Sequence, residues 1–149
     1  EGKREDLIAL LNQQLADNAD LVSQLKQAHW NVKGPTFMML HLLFDGAYEA
    51  LEPFVDTIAE RATTLGGTAE GTVRMAAAAS TMKEYPATIK AGHDHLEVVR
   101  ERIASYAAST RKAIGRSEDL GDPTTADLFT EISRVVDLQL YFVEQHLDD

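Results

Sequence analysis

Apolar side chains recur at steps of three and four residues through most of this chain, and that period constrains the fold more than any other feature. Near the N-terminus Ile8, Leu11, Leu15, Asn18, Val22, Leu25 and His29 share one face. After a break, Leu40, Phe44, Tyr48, Leu51, Val55, Ile58 and Ala62 do the same. A helix returns to one face every 3.6 residues and a strand every two, so both stretches read as amphipathic helices. The punctuation sets their limits. Gly34-Pro35 separates a first helix, from about Arg4 to Val32, from a second, from about Thr36 to Leu65, which Gly66-Gly67 ends. A looser segment extends to Tyr85-Pro86, with an alanine-rich run from Met75 to Ser80 suited to a short extra helix. A third helix is predicted over about Pro86 to Ile114, with Gly115 as its stop. Asp122-Pro123 has the form of a capped start and opens a fourth helix to about Leu147. Pro53 lies inside the second helix and predicts a bend there rather than two helices, because the apolar stripe continues on both sides. The result is an all-α chain, a four-helix bundle with one long crossover between helices two and three, expected as one domain over residues 1–149.

Composition narrows the chemistry. There is no cysteine, so disulfides, thiolate metal sites and cysteine nucleophiles are excluded, and a metal would be held by His and carboxylates, which suit iron, manganese or zinc. The net charge of −10 attracts cations and disfavours DNA binding. No apolar run is long enough for a membrane span and no signal-peptide pattern is present, which predicts a cytoplasmic chain.

The second helix carries two pairs of possible ligands at i, i+4 spacing, His41 with Asp45 and Asp56 with Glu60, and Glu49 and Glu52 continue the row. One straight helix cannot bring both pairs to one metal, because His41 and Asp56 are separated by about 22 Å of helix rise whereas ligand bonds are near 2 Å. An antiparallel copy of the chain removes the conflict. A two-fold axis between Ala50 and Leu51 sets His41 opposite Glu60, Asp45 opposite Asp56 and Glu49 opposite Glu52. A hairpin centred on Pro35 likewise brings His29 level with His41. Residue spacing therefore places His29, His41 and Asp45 of one chain with Asp56 and Glu60 of another. Taken singly, each feature has a plainer reading: His29 as a core histidine, the acidic row as a solvated face. Their coincidence weakens these plainer readings and sets a shared metal site level with them.

At these residues the sequence resembles the Dps proteins, the mini-ferritins. The resemblance is carried by Ala28-His-Trp-Asn-Val-Lys-Gly34, by the stretch from Leu40 through Asp45-Gly46 to Asp56-Thr-Ile-Ala-Glu-Arg61, and by Thr125-Ala-Asp-Leu128. It implies a ferritin-like bundle and a ferroxidase centre made of His29, His41, Asp45, Asp56 and Glu60 across a dimer interface. It also implies a hollow shell of twelve subunits, with ferrous iron oxidised preferentially by hydrogen peroxide and stored as ferric mineral. Zinc or manganese is expected to be able to take the place of iron. Trp30 would lie beside the centre as an electron donor or radical trap, or serve only as an interface aromatic. Asp122, Asp127 and Glu131 would surround a pore for incoming ions, although acidic residues near a helix start are also ordinary dipole partners. Members that condense DNA often use lysine-rich tails, which this stretch lacks; a tail outside it would reopen DNA binding and a place at the nucleoid. The two remaining functions are a DNA-compacting protein and a metal buffer without turnover. His93 and His95, on opposite sides of the third helix, are expected at the surface.

Overall fold

A computed structural model describes residues 1–147 and is helical almost throughout. Helix α1 spans Gly2–Asn31, α2 Phe37–Leu51, α3 Pro53–Thr64, α4 Val73–Ala79, α5 Gly92–Asp119 and α6 Pro123–Glu144. Helix α1, the α2–α3 unit, α5 and α6 form the four-helix bundle, and α4 is the short helix in the crossover. The two predicted stripes meet in its core: Leu11, Leu15 and Leu25 pack with Phe44, Leu51 and Ile58, closed from the other side by Ile103, Tyr106, Phe129 and Ile132.

Helix ends follow local chemistry. Past α3 the Gly67 N–H returns to the Ala62 carbonyl and the Gly66 N–H to Thr63, with Gly66 at φ +90°. Past α5 the same arrangement recurs, Asp122 N–H to Ser117 and Gly121 N–H to Glu118, with Gly121 at φ +80°. Both are Schellman ends that need a left-handed residue just after the helix. Gly115 is therefore not the stop of the third helix. It lies within α5, and Gly121 ends that helix instead.

Three further expectations are corrected. Helix α5 starts at Gly92 rather than Pro86, because the Lys33 N–H takes the Lys90 carbonyl at 2.9 Å and residues 33 and 91 pair as an isolated bridge, which keeps the backbone extended up to that point. The predicted bend at Pro53 is a break between two helices. Glu52 keeps α-helical angles and its N–H reaches Tyr48 at 2.8 Å, but Pro53 has no N–H to give, and the Val55 N–H turns to Glu52 at 3.0 Å. His95 is buried, not superficial. It sits in the first turn of α5 with its ring against Tyr85 of the crossover, Nδ1 2.6 Å from the Tyr85 hydroxyl. Burial pushes the Tyr85 phenol well up, so it keeps its proton. His93 is exposed.

The crossover is fastened by buried polar groups. Arg102 donates to Gln24 Oε1, to the Lys83 carbonyl and to the Glu84 carbonyl, and Asp17 accepts from the Thr81 N–H at 2.7 Å. The bonds to Lys83, Glu84 and Thr81 give partners to backbone groups of the crossover and tie it to α1 and α5.

Candidate metal centre

The turn at Gly34-Pro35 folds the end of α1 against the start of α2 and brings His29 and His41 face to face. Their rings stack with centroids 3.7 Å apart and planes 14° from parallel. His29 Nδ1 lies 2.6 Å from the His41 carbonyl, and His41 Nδ1 lies 2.8 Å from the His29 carbonyl. A carbonyl only accepts, so each Nδ1 carries the proton and donates it. In the neutral rings both Nε2 atoms then hold a free lone pair. This is the tautomer a metal needs, fixed by backbone oxygens in the way that hydrogen bonds to ligating histidines usually fix it. Both residues are half-buried, and Phe37 stacks on His41 as well.

Asp45, one turn beyond His41, is held by a cation. Lys26 of α1 donates to Asp45 Oδ1 at 2.5 Å, while its ammonium lies 4.5 Å from the centre of the Tyr48 ring. That hydrogen bond outweighs partial desolvation and, with His29 and His41 nearby, holds the Asp45 carboxyl below its ordinary range. Lys26 is not among the residues that the sequence pattern singles out, because it lies on α1 and not on the helix that bears the acidic row. The signal was available: the hairpin that levels His29 with His41 also levels Lys26 with Phe44, the residue before Asp45.

Asp56 and Glu60 lie on α3, beyond the break, and both are exposed. The two carboxyls interact. Hydrogen bonding to Asp56, then the Asp56 charge, raises the Glu60 carboxyl above its ordinary range. Two carboxylates competing for one proton are a site for which a divalent cation is the natural replacement. Within the single chain this pair stays apart from the histidines, and no group of three His, Asp or Glu side chains forms a metal site among the described residues.

Arg61, next to Glu60, ties α3 to the start of α6. It donates to both Asp122 oxygens, at 2.9 and 3.2 Å, and to Thr125 Oγ1 at 3.0 Å. Asp122 also caps α6 by accepting from the Thr124 and Thr125 N–H groups. Desolvation would raise its carboxyl, but the bonds from Thr125 and Arg61 prevail and lower it. The Asp122 charge is thus already paired inside the chain. Asp127 and Glu131 remain exposed and share with Glu60 and Arg61 a groove of about 300 Å³ between α3 and α6.

Trp30 directs its indole outward, 65% exposed, and Met38, Met39 and Leu42 on the adjoining part of α2 are more than half exposed as well. An apolar face of this kind beside half of a ligand set is unusual for a chain that works alone.

Comparison with known proteins agrees with this architecture. Residues 8–149 match the Ferritin family, a ferritin-like domain. The chain is 44% identical over 146 residues to the DNA protection during starvation protein of Agrobacterium fabrum, covering 98% of this chain and 90% of that one. Among solved structures, Mycobacterium smegmatis Dps superposes with a TM-score of 0.94 at 32% identity, over 99% of this chain and 89% of that one. DpsC from Streptomyces coelicolor gives 0.93 at 34% identity, over 99% and 87%. The chain belongs to the Dps family of ferritin-like proteins.

Proposed function

We propose that this protein oxidises and stores iron, with ferrous ions bound as substrate between two copies of the chain. His29, His41 and Asp45 of one copy supply one half of each centre, and Asp56 and Glu60 of its partner supply the other. The observation that carries this reading is the reciprocal pairing of His29 and His41. Each Nδ1 proton goes to the carbonyl of the other residue, so the Nε2 lone pair of each neutral ring is left free. Histidines that bind metals are usually oriented by a hydrogen bond of this kind at the other ring nitrogen. The paired carboxylates on α3 add hard oxygen donors, which favour the ferric product.

Two ferrous ions at such a centre give one electron each to hydrogen peroxide. The O–O bond breaks, two protons are taken up and two waters form, so no hydroxyl radical is released. The protein contributes positioning and charge: Asp45 with its carboxylate held by Lys26 until a metal cation competes for it, Glu60 ready to exchange its proton for a cation, and the outward Trp30 placed to give up an electron if a one-electron step strays. Protection then follows from removing both iron and peroxide. Copies assemble through the apolar face around Trp30 and Leu42 into a twelve-subunit shell, where Asp127 and Glu131 line the way in for cations and the groove beside Glu60 receives them. With net charge −10 the globular body is not the part that would hold DNA.

Stopped-flow absorbance after anaerobic mixing with ferrous iron and peroxide tests the reading. Ferric absorbance should rise far faster than without protein, at two irons per peroxide. Zinc, which suits the same donors but has no redox chemistry, should inhibit it. A rate equal to the protein-free control would reject the enzyme and leave a metal buffer. Solution mass should correspond to twelve copies.

A further inference from the structure

Asn18 lies in the apolar stripe of α1, fully buried between Leu15 and Val22 in the stripe's order. Its place there is explained by the break in the helix opposite. In an unbroken helix the Val55 N–H would take the Leu51 carbonyl. Here it takes Glu52, because Pro53 interrupts the ladder. The Leu51 carbonyl is left in the core, and Asn18 Nδ2 donates to it at 3.2 Å. The other end of the amide, Oδ1, has no partner among the described residues. A leucine would fill this position without burying an unpaired oxygen, so the one bond to Leu51 is what the amide provides.

We propose that Asn18 is a positioning residue that fixes the bend between α2 and α3, and through it the reach from the His41–Asp45 pair to the Asp56–Glu60 pair. The inference rests on the metal-centre reading above. Its leverage is geometric. Glu60 lies about 12 Å of helix beyond Glu52, so a 10° change in the bend moves it by about 2 Å. That is the length of a whole metal–ligand bond. The bend also lies within two residues of the proposed two-fold axis between Ala50 and Leu51, so any error in it enters both shared sites of a dimer.

The test uses the full chain, with Co²⁺ as the probe, and three proteins beside the wild type: Asn18→Leu, Pro53→Ala and the double variant. Circular dichroism, thermal midpoint and solution mass are followed alongside Co²⁺ affinity and its visible absorption bands. Asn18→Leu should remain helical with wild-type mass, melt earlier, bind Co²⁺ about ten-fold more weakly and show shifted bands. Pro53→Ala restores the missing N–H and lets Val55 return to Leu51, so the double variant should recover its thermal midpoint. It should not recover the Co²⁺ affinity or bands, because the bend itself has relaxed. Wild-type Co²⁺ binding in Asn18→Leu, or recovery of binding together with stability in the double variant, overturns the proposal and leaves Asn18 a packing residue. If the single variant does not assemble, the double variant decides on the same readout. A wild-type protein that binds no Co²⁺ refutes the metal centre itself, a result distinct from either.

Discussion

Co-expression of two variants that should each be inactive, His29→Ala and Asp56→Ala, measures directly whether the proposed centre is divided between chains. Within one chain Asp45 and Asp56 are separated by about 16 Å of helix rise, and the His29–His41 pair lies farther still from Asp56. No side-chain motion closes that gap to ligand distance. In a shell made only of one variant, every centre therefore lacks one ligand. In a mixed dimer the lesions distribute unequally. One centre takes His29 from the Asp56→Ala chain and Asp56 from the His29→Ala chain and is intact, while the other takes both lesions. Random pairing at equal expression makes half of the dimers mixed, so about one quarter of all centres should be whole. The assay is the initial rate of peroxide-driven ferrous oxidation per subunit, with distinct tags on the two variants and native mass spectrometry to establish mixing. About a quarter of the wild-type rate is expected, against near-background rates for each variant alone. Background rates in shells shown to be mixed and of wild-type mass would refute the division, and with it the reasoning from helix rise.

Removing the cation that holds Asp45, by Lys26→Met, should let its carboxyl rise toward the ordinary Asp range and tighten Co²⁺ binding several-fold at neutral pH, read by titration of the visible bands; unchanged affinity would mean that the ion pair does not compete with the metal. Glu60 should titrate above the ordinary 4.5 in the metal-free protein and move down in Asp56→Asn, followed by carboxyl NMR, because the partner that raises it has lost its charge. Asp122→Ala loses a helix cap and strands Arg61, costing about 2–4 kcal/mol in denaturant unfolding. Because the Asp122 carboxyl is lowered in the folded chain, its contribution is fully present above the unfolded value, near 3.8, and is lost as pH falls through the lower folded one; the variant's acid-unfolding curve should be correspondingly shallower below that value.

How far the sequence can be read depends on whether a feature is set by local or by cross-chain physics. The stripes through Leu11 and Leu15 and through Phe44 and Ile58 are periodic, and both face the core. Glycine is harder to read, since a helix stop requires a left-handed residue just past the last turn. Gly66 and Gly121 are at positive φ, whereas Gly115 lies inside α5 ahead of its last turn, with open space where a side chain would stand. His95 defeats sequence reading for a different reason: helical phase gives the side it occupies, but not that Tyr85 of the crossover covers that side.

The candidate centre shows the same boundary more sharply. Counting residues from Pro35 puts His29 level with His41, and the stacked rings are where that count leads. It cannot say which nitrogen each ring presents, because this depends on two backbone carbonyls meeting two Nδ1 protons across the turn. Nor can periodicity separate Asn18 from the leucines around it, since an amide on an apolar stripe has no meaning until the helix opposite is found to have lost a hydrogen bond. Pro53 is the link between the two halves of the problem. It costs the long helix its continuity and leaves a core carbonyl to Asn18, and Asp56 and Glu60 lie beyond that break. A straight helix would keep the four candidate ligands on one axis, whereas a bent one would give a facing copy two arms to close on, and on that reasoning the bend would be as much a part of the proposed centre as the residues it carries.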